Sequence, residues 1–163
     1  MKRRLAIAAL TVALGGTAGY QHFKQHEGLR LQAYPDTGNV WTICYGHTRT
    51  AAPGKSYTLE VCDELLQQDV AVAEKQLKAL LPPTTQMTYE QYLVTVDFVF
   101  NLGPGQFKTS TLRKEILAER CQQAGAQFRV WNKGRVNGEL VVLPGLTKRA
   151  NWRAEQWLSG CVE

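Results

Sequence analysis

The 163-residue chain lacks the usual signs of several specialised classes of protein. It has no low-complexity stretch and no repeat of solenoid period, so a repeat architecture is excluded. None of its four cysteines forms a CxxC pair, and its three histidines do not fall at zinc-ligand spacing around them, so neither a metal nor another cofactor is expected. The 19 basic residues form no dense run with interleaved aromatics, so no nucleic-acid partner is expected.

What remains is a basic chain of ordinary composition. It is 44% hydrophobic, which is enough for the core of one domain, and its formal net charge is +5. A basic protein is drawn to anionic polymers, and the membrane surface and the bacterial wall both qualify. We expect a monomer.

Charge is absent from residues 5–23, which contain no Asp, Glu, Lys or Arg. Nineteen uncharged residues are just long enough to cross a bilayer as a helix. The positive run at residues 2–4 would stay in the cytoplasm, so the rest of the chain would face outward. These residues therefore predict contact with the inner membrane of a host cell.

The same segment is only weakly apolar, because residues 5–20 include five Ala and three Gly. A cleaved signal peptide is one interpretation, with Thr17-Ala18-Gly19 as the cleavage site. A permanent anchor should be more hydrophobic, and an amphipathic core helix should have a polar face. A releasable anchor fits the composition best. An even number of cysteines in an exported chain then suggests two disulfides, in any of three pairings, whereas four free thiols would fit a cytoplasmic core.

Local signals predict a mostly helical α+β fold with a small antiparallel β-ribbon. A short helix should end at Gly28, and the turn at residues 35–39 should lead into a strand at 40–45. Thr88 and Gln91 fit a capping box that opens a buried helix running to about residue 100. The remaining helices are expected at 58–80, 110–120, 123–131 and 148–159, with a break at 101–105.

Two carboxylates in this region suggest acid–base chemistry. Glu27 falls at a predicted helix end, where the negative end of the helix dipole disfavours the ionised carboxylate, so it can donate a proton. Asp36 lies in a polar turn and should stay ionised, and Thr42 on the next strand offers a hydroxyl. One protonated and one ionised carboxyl across a cleft is the arrangement for glycoside hydrolysis.

The spacing of these residues resembles a known family. Asp36 follows Glu27-Gly28, and Thr42-Ile43 is followed by Gly46-His47. This order resembles the signature of the T-even-type phage lysozymes, glycoside hydrolase family 24. Downstream runs resemble the same family over residues 20–158, among them 100–103, 110–113 and 143–149. The uncharged N-terminus resembles its lambdoid endolysins with a signal-arrest-release segment, which implies an anchor at 1–23 and a lysozyme-like catalytic domain at 24–163, built as a ribbon lobe and a helical lobe joined by a long helix.

The resemblance implies a muramidase that cleaves between N-acetylmuramic acid and N-acetylglucosamine in peptidoglycan glycan strands. Glu27 would be the general acid, and Asp36 with Thr42 would position the attacking water. Inversion requires about 6.5–9.5 Å between the two carboxyls. Two alternatives remain open. A lytic transglycosylase would not need Asp36 or Thr42, and a non-catalytic wall-binding protein would not need Glu27. After release the enzyme would act in the host periplasm.

The resemblance also assigns supporting residues. It implies a buried ion pair between His47 and Asp69, which we prefer to a catalytic base at His47. It places Phe100, Asn101 and Thr111 at substrate-cleft positions, although Phe100 also fits core packing.

Cysteine replaces the family's usual glycine at position 44. As in several anchor-bearing relatives, this implies a Cys44–Cys62 disulfide, and the remaining pair would be Cys121–Cys161. A nucleophilic Cys44 acting with His47 is disfavoured, because the two side chains would point to opposite faces of one strand.

Overall fold

The computed structural model describes residues 1–12 and 18–162, and it divides the chain into two compact units. The helical unit consists of Met1–Leu10 and Gln76–Glu163, and the ribbon unit is Thr11–Lys75. In chain order the elements are β1 (Arg4–Ala6), a 3-10 turn (Ile7–Ala9), α1 (Ala18–Glu27), β2 (Arg30–Pro35), β3 (Trp41–Cys44), α2 (Leu59–Ala79), β4 (Gln86–Thr88), α3 (Tyr89–Leu102), α4 (Pro104–Thr109), α5 (Thr111–Leu117), α6 (Cys121–Phe128), β5 (Lys133–Val136), β6 (Glu139–Val142) and α7 (Pro144–Leu158). Over the described residues this is the expected α+β class, and α2 contributes to both units.

The ribbon unit is built around the antiparallel pair β2–β3. Tyr34 pairs with Thr42 and Arg30 pairs with Cys44, with an irregularity in register between the two pairs. The edge of β2 is extended by a bridge from Gln32 to Ser56. Helix α1 and α2 as far as Lys75 complete the unit. The ribbon residues that carry the candidate chemistry therefore belong to the same compact unit as these two helical segments.

The core of the helical unit is aromatic. Helix α3 begins at Thr88, whose side chain accepts the Gln91 N–H, while the Gln91 side chain accepts the Thr88 N–H, as the capping box predicts. Phe98 on this helix is fully buried and makes edge-to-face contacts with Phe107 and Phe128. Rings of this size dominate the burial energy of a small unit.

The N-terminal residues do not form the expected continuous helix over 5–23. Strand β1 pairs with β4 instead, with Leu5 opposite Met87, and the chain continues through the 3-10 turn with Ile7 fully buried. Apolar residues spaced along a weakly apolar stretch can be buried in this way, with their backbone groups satisfied by a neighbouring strand. Residues 13–17 of the expected segment lie outside the described residues, and helix α1 is described from Ala18. Among the described residues, no helix is both long enough and apolar enough to span a bilayer.

The hairpin β5–β6 and the helix α4 were also not expected from the sequence. The hairpin β5–β6 lies where a loop was expected, and it turns at Asn137 and Gly138, which have φ of 49° and 82°. Such paired positive angles are those of a tight two-residue hairpin turn. Helix α4 occupies part of the expected break, and α7 begins at Pro144 rather than at 148 because proline is well suited to the first helical position.

Candidate active site

Glu27 is the last residue of α1, and the glycine that follows it ends the helix. Gly28 has φ of 66°, the left-handed conformation that stops a helix at little cost for glycine. The half-buried Glu27 faces Gly46, since a Cβ built on Gly46 would stand 3.5 Å from Glu27 Oε2. Gly46 itself has φ of 76°. The loop after β3 therefore approaches the carboxylate through a residue without a side chain.

Asp36 and Thr42 both hydrogen-bond to the backbone of Val40. Asp36 Oδ1 accepts the N–H of Gly38 at 2.9 Å and the N–H of Val40 at 2.8 Å. The Thr42 hydroxyl donates to the Val40 carbonyl at 3.0 Å, which leaves its oxygen lone pairs as acceptors. Thr42 is 4% exposed, whereas Asp36 is exposed. The exposed Asp36 carboxylate and the buried Thr42 hydroxyl are thus both anchored to the backbone of Val40.

His47 is held on both sides of its ring. Its Nδ1 lies 2.7 Å from Asp69 Oδ2, and its Nε2 lies 2.9 Å from the Thr50 hydroxyl and accepts the Thr50 backbone N–H at 3.2 Å. The Arg49 guanidinium contacts the other Asp69 oxygen. With both ring nitrogens engaged, this geometry favours the structural role over that of a catalytic base.

Both disulfides have the pairing that the resemblance implied. Cys44 and Cys62 are joined across a sequence separation of 18, and Cys121 and Cys161 across a separation of 40. Cys44 has φ of 60°, so this position adopts the left-handed backbone that suits glycine. The first disulfide ties the end of β3 to the first turn of α2.

The expected substrate-cleft residues belong to the helical unit. Phe100 and Asn101 are half-buried near the end of α3, and Thr111 is exposed at the first position of α5. Asn101 Oδ1 accepts a hydrogen bond at 2.8 Å from Arg153, a residue only 1% exposed. Asn101 therefore takes part in a structural network with Arg153, and its contact with substrate stays a prediction.

That network centres on Asp97, a fully buried carboxylate in the middle of α3. Arg153 Nε donates to its Oδ2 at 2.5 Å, and Arg149 Nη2 donates to its Oδ1 at 2.7 Å. A buried charge is tolerated when it is paired and hydrogen-bonded in this way. The network was missed in the sequence analysis, although an aspartate flanked on both sides by apolar residues in the middle of a helix was a visible signal.

A second group was also missed, around Asp63 in the ribbon unit. Tyr45 donates its hydroxyl to Asp63 Oδ1 at 3.0 Å, and Lys24 Nζ lies 3.2 Å from the same oxygen. Burial, the hydrogen bond to Asp63 and the negative charge of Asp63 raise the pKa of Tyr45 to about 12. Burial and the same charge raise the pKa of Tyr20, whose hydroxyl donates to the Asp63 carbonyl at 2.7 Å.

Known proteins are similar to this chain in both sequence and fold. A family model for phage lysozyme matches residues 24–153. The endolysin of Acyrthosiphon pisum secondary endosymbiont phage 1 is 40% identical over 128 residues, which cover 77% of this chain and 85% of that protein. The SAR-endolysin of Bacteriophage PS34 is 37% identical over 131 residues, which cover 77% of this chain and 73% of that protein. Among solved structures, the muramidase domain of SpmX from Asticaccaulis excentricus has a TM-score of 0.78 at 31% identity, covering 88% of this chain and 96% of that one.

The matched region contains the whole candidate site of the ribbon unit, from Glu27 through Asp36 and Thr42 to His47. The extent of the match over residues 24–153 confirms the family resemblance found in the sequence. The chain belongs to the phage lysozyme family and is a lysozyme, a glycosidase of bacterial peptidoglycan.

Proposed function

We propose that Glu27 protonates the glycosidic oxygen between N-acetylmuramic acid and N-acetylglucosamine, and that Asp36 with Thr42 positions the attacking water. The chemistry needs a proton donor on one side of the bond and an acceptor for a water proton on the other. Glu27 supplies a carboxyl at the end of a helix, and Asp36 supplies a solvated carboxylate.

The observation that carries this proposal is the convergence of Asp36 and Thr42 on Val40. Because the Thr42 proton is donated to the Val40 carbonyl, its oxygen can accept a hydrogen bond from water. The backbone donors to Asp36 Oδ1 fix that carboxylate in orientation. A water bound by both groups would be held by two acceptors with limited freedom, and such positioning lowers the barrier to attack.

We propose that the reaction inverts the configuration at the anomeric carbon. Inversion leaves room for one water between the carboxyls and needs about 6.5–9.5 Å, whereas a retaining enzyme needs about 5–5.5 Å. The NMR spectrum of the first-formed product identifies the anomer. If the retained anomer appears first, inversion is contradicted, while the assignment of Glu27 as the general acid is unaffected.

The proposed roles of Glu27, Asp36 and Thr42 are tested by measuring how fast each variant clears a turbid suspension of purified peptidoglycan. Glu27→Gln keeps the size of the side chain and removes the acid, so clearing should fall by at least about 100-fold. Thr42→Ser keeps the hydroxyl and should retain most activity, whereas Thr42→Ala should lose it. Mass spectrometry separates hydrolysis from transglycosylation, because only the latter gives anhydro products. Activity of Asp36→Ala with anhydro ends would refute the proposal, and full activity of Glu27→Gln would show that Glu27 is not the acid.

We further infer that residues 1–23 are an N-terminal segment that tethers the enzyme to the host inner membrane through residues 5–23, and that residues 24–163 are the catalytic domain. The tethered enzyme is inactive, release into the periplasm activates it for host-cell lysis, and the released enzyme acts as a monomer. The uncharged, Gly- and Ala-rich composition and the similarity to a SAR-endolysin support this proposal.

Replacing Gly15, Gly16 and Gly19 with leucine should hold the segment in the membrane, because each substitution adds apolar surface. Lysis of the host culture should then be delayed or lost, while membrane fractions retain the protein. Lysis on the normal schedule would contradict the release proposal. Sedimentation of the released enzyme as a dimer would contradict the monomer.

A further inference from the structure

We propose that Asp63 is a positioning residue for catalysis, which sets the orientation of α1 and therefore the place of the Glu27 carboxyl. The inference rests on the proposed role of Glu27 as the general acid. Asp63 lies near the start of α2 and contacts both the helix that carries Glu27 and the loop that Glu27 faces. Every residue concerned belongs to the ribbon unit.

Asp63 contacts α1, the helix that ends in Glu27. Tyr20, Lys24 and Glu27 are spaced four and three residues apart, so they share one face of this helix. Tyr20 donates its hydroxyl to the Asp63 carbonyl at 2.7 Å, and Lys24 Nζ lies 3.2 Å from Asp63 Oδ1. Asp63 therefore contacts two successive turns of the face that ends in Glu27, the first through its backbone carbonyl and the second, nearer Glu27, through its carboxylate.

Asp63 also contacts the loop after β3. Tyr45, 5% exposed, donates its hydroxyl to Asp63 Oδ1 at 3.0 Å. The next residue, Gly46, is the one that faces Glu27 Oε2. One carboxylate oxygen thus contacts both sides of the candidate site, because it forms an ion pair with Lys24 before Glu27 and accepts a hydrogen bond from Tyr45 beside Gly46.

The position of Asp63 is itself fixed. Its neighbour Cys62 is fully buried and bonded to Cys44, the residue immediately before Tyr45. The disulfide and the Asp63 contacts therefore join the same two segments side by side. The disulfide sets the distance between the ribbon and α2, while Asp63 adds the link to α1 that the disulfide does not make.

The Lys24–Asp63 ion pair is expected to matter more for the position of Glu27 than for the stability of the fold. The side chains of Lys24 and Asp63 are 27% and 34% exposed, and ion pairs in such positions contribute little to stability. A displacement of about 1 Å at a catalytic group, in contrast, is enough to lower a rate about 100-fold. Loss of the Asp63 carboxylate also removes the acceptor of the buried Tyr45 hydroxyl, so the positioning role requires a fall in activity beyond the loss of folded protein.

The test compares Asp63→Ala, Asp63→Asn and a matched control, Glu64→Gln, at the next and exposed carboxylate of α2. Initial rates are measured on soluble peptidoglycan fragments, together with the urea midpoint of each variant. Asp63→Ala removes the carboxylate contacts with Lys24 and Tyr45 and keeps the backbone carbonyl that binds Tyr20. It should lower kcat about 10- to 100-fold with KM changed less than about threefold, because the turn of α1 next to Glu27 loses its contact while the ribbon is intact. Asp63→Asn keeps an acceptor for Tyr45 and should fall between Asp63→Ala and the unmodified enzyme, while Glu64→Gln should equal the latter.

Three results overturn the inference. They are a kcat of Asp63→Ala within threefold of the unmodified enzyme, a change in KM alone, and a loss of activity in Asp63→Asn that matches its loss of folded protein. Because Asp63→Asn retains the hydrogen-bond geometry, it keeps the test decisive if Asp63→Ala does not fold. Glu27→Gln is measured in parallel. If it remains active, the proposed acid is wrong, whereas an inactive Glu27→Gln with a fully active Asp63→Ala overturns only the positioning role.

Discussion

The Cys44–Cys62 disulfide combines a favourable cross-link with an unfavourable backbone conformation. Cys44 has φ of 60°, and a left-handed conformation costs an L-residue with a side chain roughly 1–2 kcal/mol. Cys44→Ala breaks the disulfide and keeps that cost, whereas Cys44→Gly breaks it and removes the cost. Cys62→Ala is the control that breaks the same bond without changing residue 44.

The expected magnitudes follow from the structure. Closing a loop with a sequence separation of 18 stabilises the folded state by about 3 kcal/mol in the chain-entropy model. Cys62→Ala and Cys44→Ala should each lose about that amount. Cys44→Gly should lose about 1 kcal/mol less than Cys44→Ala, because the relief of left-handed strain exceeds the added freedom of glycine in the unfolded chain.

Urea denaturation followed by circular dichroism measures these differences on the oxidised, purified variants. The order of stability should be the unmodified enzyme, then Cys44→Gly, then Cys44→Ala together with Cys62→Ala. A Cys44→Gly variant no more stable than Cys44→Ala would refute the assignment of strain to position 44. A loss of less than 1 kcal/mol in Cys62→Ala would refute the estimate for the cross-link.

Three more predictions follow from other contacts. Gly46→Ala places a methyl group 3.5 Å from Glu27 Oε2, on a backbone with φ of 76° that disfavours a side chain. Peptidoglycan clearing should therefore fall roughly tenfold. An unchanged clearing rate would contradict the close approach of Gly46 to Glu27. Arg153→Met removes one of the two guanidinium groups that bind the fully buried Asp97. Urea titrations should show a free energy of unfolding lower by about 3–5 kcal/mol. A loss under 1 kcal/mol would mean that the stability of the fold does not depend on the Asp97 network. The pKa of Tyr45, raised to about 12, means that the unfolded chain releases this proton first, so stability should fall as pH rises from about 10 to 12. Tyr45→Phe should fall less over that range, and an identical slope would refute the assignment to Tyr45.

Local chemistry made several parts of the fold predictable. Gly28 identified the end of α1 because a left-handed residue is needed there, and Thr88 with Gln91 identified the start of α3 because each caps the other's backbone. The disulfide pairing was implied by the family resemblance, and the left-handed angle at Cys44 gives the physical reason why glycine suits that position.

Other features depend on contacts between distant segments, which no local pattern specifies. Strand β1 pairs with β4 across more than 80 residues, and its sequence alone fits a membrane segment equally well. Asp63 is one of several carboxylates on an amphipathic helix, so only the structure separates it from Glu64. The β5–β6 hairpin was predictable in principle, because Asn137-Gly138 is a strong turn signal.

The beginning of the chain is fastened to the helical unit by its cations. Lys2 Nζ lies 3.2 Å from Glu90 Oε1 and donates to the Ser159 hydroxyl at 2.9 Å, and Arg4 donates to the carbonyl oxygens of Gln86 and Gly160 at 2.6 and 3.4 Å. If a membrane tether precedes this state, the three positive charges of residues 2–4 have to cross the bilayer before the contacts can form.

A voltage that is negative inside opposes that transfer by about 2.3 kcal/mol per charge for every 100 mV, or about 7 kcal/mol for three charges. The contacts of Lys2 and Arg4 would thus form only after the membrane has lost its voltage. Without a voltage, the electrical cost of moving residues 2–4 across the bilayer is zero. Lys2 and Arg4 could then reach their partners on the protein surface.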